Sequence, residues 1–174
     1  MITLVATSGV GAAGTAQAHA PTERAPAASV VVEDAGDTAG DADLRGISVK
    51  ATRARLVVTA TFSQNESGDL LQLWIDTSNK PRNYYGAIAP ESGFDALRLV
   101  GGKQTRGPRG ECAGFRASYL SGATTARIAI PTRCLGSPGT VRVSTSATLR
   151  SGSGSVSDAA PNGGAWTPRV RLAR

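Results

Sequence analysis

The octapeptide LLQLWIDT places Trp74 and Asp76 two positions apart in a run that otherwise reads as a buried strand. An indole ring can stack on a sugar, and a carboxylate can bind a cation or transfer a proton. Alternate residues of a β-strand share a face, so these two side chains lie together. The intervening Leu71, Leu73 and Ile75 then face the core. We expect a loop to cover the outer face, which gives Trp74 and Asp76 structural roles.

Catalysis that depends on histidine is excluded by composition. The single histidine, His19, stands in the segment before the folded body, and Met1 is the only methionine. The body therefore lacks the residues for Ser-His-Asp or Cys-His catalysis, for histidine-ligated zinc and for haem ligation. It also contains no phosphate-binding loop and no dinucleotide fingerprint, so we expect neither haem nor nucleotide as a cofactor.

A pair of catalytic carboxylates is the one arrangement that the sequence leaves open, because its two members need to be close in the folded protein and not in the sequence. No motif joins any two of the acidic residues, and each has an alternative role in a solvated turn or a salt bridge. We therefore predict that the protein is not an enzyme and keep a hydrolase as the least favoured alternative. The candidate acids are Asp69, Asp76, Glu91, Asp95, Glu111 and Asp158.

The two cysteines flank a predicted hairpin. A loop around 121–124 sets an antiparallel register in which the numbers of paired residues add up to 245 or 246, and those of Cys112 and Cys134 add up to 246. The two side chains then lie opposite each other, as a disulfide requires. A zinc or redox site is disfavoured, because two cysteines without C-x-x-C spacing are too few.

Short alternating segments separated by Gly, Pro, Asn and Ser predict an all-β fold. In ARLVVTATF, for example, Leu56, Val58, Ala60 and Phe62 share one face. We count about nine strands and no convincing amphipathic helix, which is typical of an antiparallel β-sandwich. The prediction is a single domain over 43–174, stapled by the disulfide hairpin.

The segment before this domain indicates export. Residues 1–18 combine an apolar run with small residues and end in an A-x-A pattern, which predicts a signal peptide cleaved after Ala18. No Lys or Arg precedes the apolar run, so this peptide would be truncated if the chain starts upstream of Met1. A disordered tail on a cytosolic protein is the alternative. Residues 19–42 read as a flexible acidic leader with room for one edge strand at Val30–Val32. We predict a secreted protein without a membrane span.

Charge is divided unevenly along the chain. Residues 21–43 contain six acids and one arginine, whereas residues 44–174 contain 18 Lys or Arg and seven acids. A basic body favours anionic partners. The aromatic residues and modules that usually accompany nucleic-acid binding are missing, so we expect no nucleic-acid partner.

Three stretches carry a resemblance: ADLRGISVKAT followed by RLVVTATF, the strand LWIDT with Tyr84-Tyr85 after it, and DAAP at 158–161 with a closing Trp-containing strand. Over 42–172 they resemble secreted actinobacterial proteins of unassigned function. They are also similar to the superfamily of DOMON domains and family-nine carbohydrate-binding modules. The resemblance implies a β-sandwich that binds haem or a sugar, often with a bound calcium ion. The haem branch fails here for want of axial ligands.

Two candidate sites follow from these residues. Exposed aromatics would stack on a saccharide, and the candidates are Trp74, Tyr84, Tyr85 and Trp166. Calcium needs several hard oxygen ligands, which Asp76, Asn79 and Asp158 could supply.

We therefore predict a secreted, non-catalytic binding module for a polysaccharide or an anionic cell-wall polymer. The alternative is an extracellular protein-interaction or inhibitor-type domain that uses the Gly-rich basic loop at 101–111.

Overall fold

The computed structural model describes residues 28–37, 43–63, 70–78, 83–89, 94–100, 113–119, 124–151 and 154–172, with the backbone alone over 83–89, 94–100, 119 and 150–151. These residues form eleven strands: β1 (Ser29–Glu33), β2 (Leu44–Ala51), β3 (Arg55–Phe62), β4 (Leu70–Thr77), β5 (Asn83–Ala89), β6 (Phe94–Val100), β7 (Arg116–Tyr119), β8 (Thr125–Pro131), β9 (Thr140–Ser151), β10 (Gly154–Ala160) and β11 (Val170–Arg171). Two short 3₁₀ turns, Thr132–Leu135 and Asn162–Gly164, are the only helical elements in the described part.

The strands form two antiparallel sheets. One has the order β1-β2-β3-β8-β7, and the other has the order β10-β9-β4-β5-β6 with β11 added to β9. The predicted all-β, antiparallel class is confirmed. The described part contains no helix with the length and hydrophobicity that a membrane span needs.

Both sheets contribute side chains to one apolar core. Leu56, Val58, Ala60 and Phe62 of β3 are all buried, as their alternation predicts. The same is true of the central apolar residues of β4, Leu71, Leu73 and Ile75. Each fully buried aliphatic side chain contributes roughly 1.5–3 kcal/mol relative to exposure, so burial of these two stripes is the main force that holds the sheets in place.

The β7–β8 hairpin has one of the two predicted registers. Arg116 pairs with Ala129 and Ala117 with Ile128, so the partners' numbers add up to 245, one less than the sum of 246 for the two cysteines. Cys134 follows β8 in the first 3₁₀ turn, packs against the core and is not a free thiol. Cys112 lies outside the described residues, so its pairing with Cys134 stays a prediction.

Two of the eleven strands were not among the nine counted in the sequence. One, β1, belongs to the acidic leader and pairs with β2 as an edge strand. The sequence allowed an edge strand at this place, Val30–Val32, but did not count it. The other, β10, has the sequence GSVSDAA, and only Asp158 and Ala160 of it are buried. A strand with so few apolar residues gives no alternation to detect. The predicted closing strand is shorter than expected, because only Val170–Arg171 pairs with β9.

A β-bulge near the start of β2 shapes the edge where β1 and β10 approach. The register with β3 shifts between Leu44 and Gly46, so Leu44 and Ile47 both enter the core although they are three residues apart. Gly46 is required there, because a β-carbon would lie 2.6 Å from the carbonyl oxygen of Val32. The bulge leaves Arg45 facing outward and Asp43 buried just before the strand.

Candidate functional site

The outer face of the six-stranded sheet carries the residues of the opening motif. Trp74 pairs with Ser144 and Asp76 with Arg142, and directly opposed residues share a face. Trp74 is 38 % exposed, so the expectation that a loop covers its ring is wrong. Asp76 is instead only 7 % exposed, and the side chains of Arg142 and Arg169 lie against it. One half of the motif is therefore open to solvent and the other half is closed.

Asp76 is held by two arginines. Nε of Arg142 donates to its Oδ2 at 2.6 Å, and a terminal nitrogen of Arg169 donates to the same oxygen at 3.1 Å. The other terminal nitrogen of Arg169 is buried and has no hydrogen-bond partner in the described part of the chain. Asp76 therefore fixes two guanidinium groups, and this corner of the face keeps one net positive charge.

Trp166 joins the same face through Arg142. The guanidinium carbon of Arg142 lies 5.1 Å from the centroid of the Trp166 ring, within cation–π range, and Trp166 is 37 % exposed. The next residue, Thr167, anchors the segment: its N–H donates to the Val143 carbonyl at 2.9 Å, and its hydroxyl accepts from the Val143 N–H at 3.1 Å. We call Trp74, Ser144, Arg142 and Trp166 the tryptophan face.

The two candidate tyrosines lie on β5, of which only the backbone is described. The position of Tyr85 is directly opposite Trp74, whereas that of Tyr84 is opposite the buried Ile75. By strand alternation the position of Tyr85 belongs to the tryptophan side of the sheet, and that of Tyr84 belongs to the core side. Of the four predicted stacking residues, the structure thus places Trp74, Trp166 and the Tyr85 position on one face.

A second cluster, which we call the acid corner, consists of Asp34, Asp37, Asp43 and Asp158. One carboxylate oxygen from each of Asp37, Asp43 and Asp158 lies within 4.8 Å of the others. Oδ2 of Asp158 accepts the Leu44 N–H at 2.7 Å, which joins β10 of one sheet to the start of β2 in the other.

The electrostatics of the acid corner are unfavourable for its carboxylates. Burial and the charges of Asp158, Asp37 and Asp43 together raise the pKa of Asp34 to about 6, against a hydrogen bond from the Asn162 backbone that lowers it. The nearest cation is Arg45, whose terminal nitrogen lies 3.5 Å from Oδ2 of Asp43. Oδ1 of Asp43 is buried and accepts no hydrogen bond from any described residue.

The predicted calcium ligands do not come together. Asp76 pairs with Arg142 of β9, and Asp158 pairs with Ala147 of the same strand. Arg142 and Ala147 are five residues apart, which along a strand is roughly 16 Å. Asp76 and Asp158 therefore cannot hold one ion, and Asn79 lies outside the described residues. The set was wrong because it linked polar residues by chain order, whereas the sheet brings Asp158 to the leader acids.

The other carboxylates proposed for a hydrolase are scattered. Asp95 lies on β6, opposite Ile88 of β5. Three others, Asp69, Glu91 and Glu111, lie outside the described residues. So does the loop at 101–111. The acid corner does bring carboxylates together, but Asp34, Asp43 and Asp158 are each more than nine-tenths buried, which leaves a substrate little access to them.

Comparison with protein-family models finds no match for this chain, and comparison with curated proteins finds no significant match either.

Proposed function

We propose that this protein is a secreted, non-catalytic binding module whose ligand, an extracellular polysaccharide, lies on the tryptophan face. The observation that carries the proposal is the exposure of two indole rings on one side of the six-stranded sheet. Monomeric proteins bury most of their large aromatic surface, so two open rings on one face suggest a ligand.

The exposed polar group beside the Trp166 ring suits a carbohydrate. Arg142 lies against Trp166 with its side chain 39 % exposed, whereas Ser144, opposite Trp74 in the ladder, is buried. Asp76 holds the Arg142 guanidinium in place before any ligand arrives, which reduces the entropy lost on binding. A planar guanidinium recognises carboxylates and phosphates well. The ligands we favour within this class are therefore anionic polymers such as those of cell walls.

The rest of the chain supports the same assignment. Both sheets supply one core, and β2 lies against β9, β10 and β11, which favours a β-sandwich like that of DOMON domains and family-nine carbohydrate-binding modules. A disulfide from Cys112 to Cys134 is favoured because Ala113, next to Cys112, accepts a hydrogen bond from Arg133, next to Cys134. The signal-like residues 1–18 are the basis for secretion.

Binding assays with paired variants test this function. Neutral polysaccharides and anionic cell-wall polymers would be titrated into the wild type, Trp74→Ala and Trp166→Ala, with Val31→Ala as the control. Val31 is 71 % exposed on β1 of the other sheet, so its truncation removes surface hydrophobicity without touching the tryptophan face. We expect each tryptophan variant to weaken binding at least about tenfold, or about 1.4 kcal/mol, and the control to leave it unchanged.

Two outcomes would contradict the proposal. One is that no polymer in the panel binds the folded wild-type protein. The other is that the tryptophan variants bind as tightly as the wild type, which would place the ligand elsewhere.

A protein-interaction domain is the second candidate, and the edge strand β1 favours it. In the described part β1 pairs with β2 alone, and Val31 on it is 71 % exposed. An open edge of this kind can accept a strand from another protein. Val31→Lys, which blocks edge pairing, would abolish complexes formed this way and leave polysaccharide binding intact.

A further inference from the structure

We propose that Asp37, Asp43 and Asp158 bind a calcium ion, which ties the β1–β2 edge of one sheet to β10 of the other. The proposal is independent of the function assigned to the tryptophan face, because the acid corner and that face share no residue.

The unpaired oxygen of Asp43 is the first reason to infer a cation. Its residue is 5 % exposed, and its Oδ1 is buried with no donor among the described residues. An ionised carboxylate withdrawn from water costs several kcal/mol unless a cation or hydrogen-bond donors compensate it. Asp43 belongs to the cluster in which Asp37 and Asp158 each offer a carboxylate oxygen, all three oxygens within 4.8 Å of one another, so one ion could serve all three residues.

The second reason is the charge balance. Four carboxylates lie close together in the acid corner, and the ion pair seen there among the described residues is a long one, 3.5 Å from Arg45 to Asp43. The Arg45 side chain is about half exposed, so solvent screens its attraction to Asp43. This arrangement contrasts with Asp76, a single buried carboxylate that is neutralised by two arginines.

The ligand chemistry indicates calcium. Calcium binds six to eight oxygen ligands and tolerates irregular geometry, whereas magnesium requires a near-ideal octahedron. The cluster offers carboxylate oxygens and no histidine or cysteine, which disfavours zinc and copper. Asp158 already accepts the Leu44 and Ala159 N–H groups at 2.7 Å, and each of its oxygens keeps a second lone pair for the ion.

The position of the site defines what the ion would do. Asp37 follows β1, Asp43 precedes β2, and Asp158 lies on β10 in the other sheet. An ion held by all three would pull the end of the leader strand and the two sheets together. We therefore expect calcium to stabilise the fold.

A thermal-denaturation experiment on the full chain tests the proposal. Wild type, Asp43→Asn, Asp37→Asn and Glu33→Gln would be melted in calcium chloride, magnesium chloride or sodium chloride at matched ionic strength. Glu33→Gln is the matched control, since it removes one negative charge from an exposed position on β1. With an affinity on the order of 0.1–1 mM, about 10 mM calcium would raise the wild-type Tm by about 5 °C.

The variants separate a ligand from a merely structural residue. Asp43→Asn should lose most of the calcium shift, yet melt at or above the wild-type temperature without calcium, because one of four repelling charges is gone. A structural role alone would instead lower its Tm in every salt. Asp37 is exposed, so Asp37→Asn keeps the test valid if the buried substitution fails to fold. Glu33→Gln should retain the full calcium shift.

Direct titration completes the test. Calorimetry should show one calcium ion bound to the wild type and at least about tenfold weaker binding to each ligand variant. The proposal is overturned if folded wild type shows no calcium heat and no calcium shift, if magnesium gives the same shift, or if Glu33→Gln loses as much as Asp43→Asn.

Discussion

Asp76 and Asp43 are buried to nearly the same extent, 7 % and 5 % exposed, but the protein compensates their charges in opposite ways. Asp76 receives two arginines from β9 and the closing segment. Asp43 lies among three other carboxylates, has a half-exposed arginine 3.5 Å away and keeps an oxygen without a donor in the described part. The charge of Asp76 is thus compensated by side chains of the chain itself, whereas we propose that the acid corner takes up a cation.

The largest loss of folding stability is expected at Asp76, whose charge is compensated by two arginines. Asp76→Asn removes the partner of Arg142 and Arg169 and leaves two guanidinium groups without a counter-charge, one of them with a nitrogen already buried and unpaired in the described structure. Loss of one member of such a pair, reduced by screening of the partly exposed arginines, should cost about 2–3 kcal/mol in urea denaturation.

A double-mutant cycle sharpens this prediction. Asp76→Asn combined with Arg169→Gln should cost less than the sum of the two single changes, by about 1 kcal/mol or more. Additive costs would mean that the ion pair contributes little. The single variant Asp76→Asn should also keep the wild-type calcium shift, and loss of that shift would contradict the independence of the two regions.

An intermediate effect is expected where the closing segment is anchored. Thr167→Val keeps the shape of the side chain but removes the hydroxyl that accepts the buried Val143 N–H. We expect a loss of about 1–2 kcal/mol in the free energy of unfolding, since that N–H has no water to replace the bond. Thr167→Ser, which restores the acceptor, should recover at least half of the loss. Equal stability of the valine and serine variants would show that the hydrogen bond from the Val143 N–H to the Thr167 hydroxyl does not stabilise the closing segment.

The smallest effect is expected from Arg142→Lys. Lysine keeps the charge beside Asp76 but loses the planar group that lies over Trp166. We expect about 0.5–1 kcal/mol of destabilisation, with a change in tryptophan fluorescence as the Trp166 ring becomes freer. Arg127→Lys, on β8 of the other sheet, is the control. An unchanged spectrum for Arg142→Lys would mean that the cation does not hold the ring.

Sequence patterns predicted the parts of this fold in which alternation and register dominate. The inward faces of β3 and β4 and the β7–β8 register follow from side-chain periodicity and hairpin closure, both of which are local. The strand β10 was not predicted from the sequence, because its residues are mostly small and polar. Its pairing with β9 depends on the neighbouring strand rather than on its own propensity.

The candidate sites were predicted less completely, because they depend on contacts distant in sequence. The motif LLQLWIDT correctly placed Trp74 and Asp76 on one face, but Arg142 and Arg169 could be found only from the pairing of β4 with β9 and the path of the closing segment. The acid corner joins residues more than a hundred positions apart. The dense run of leader acids is the available signal, but by itself it indicates a flexible acidic leader.

A calcium titration followed by ¹⁵N–¹H NMR tests the contrast between the two regions most directly. The Leu44 and Ala159 amides both donate to Asp158, whereas the Val143 amide donates to Thr167 beneath the tryptophan face. We predict that calcium shifts the first two amide signals with saturation at one ion per chain and leaves the Val143 signal in place. Unchanged Leu44 and Ala159 signals in excess calcium, or shifts spread equally to Val143, would contradict the account.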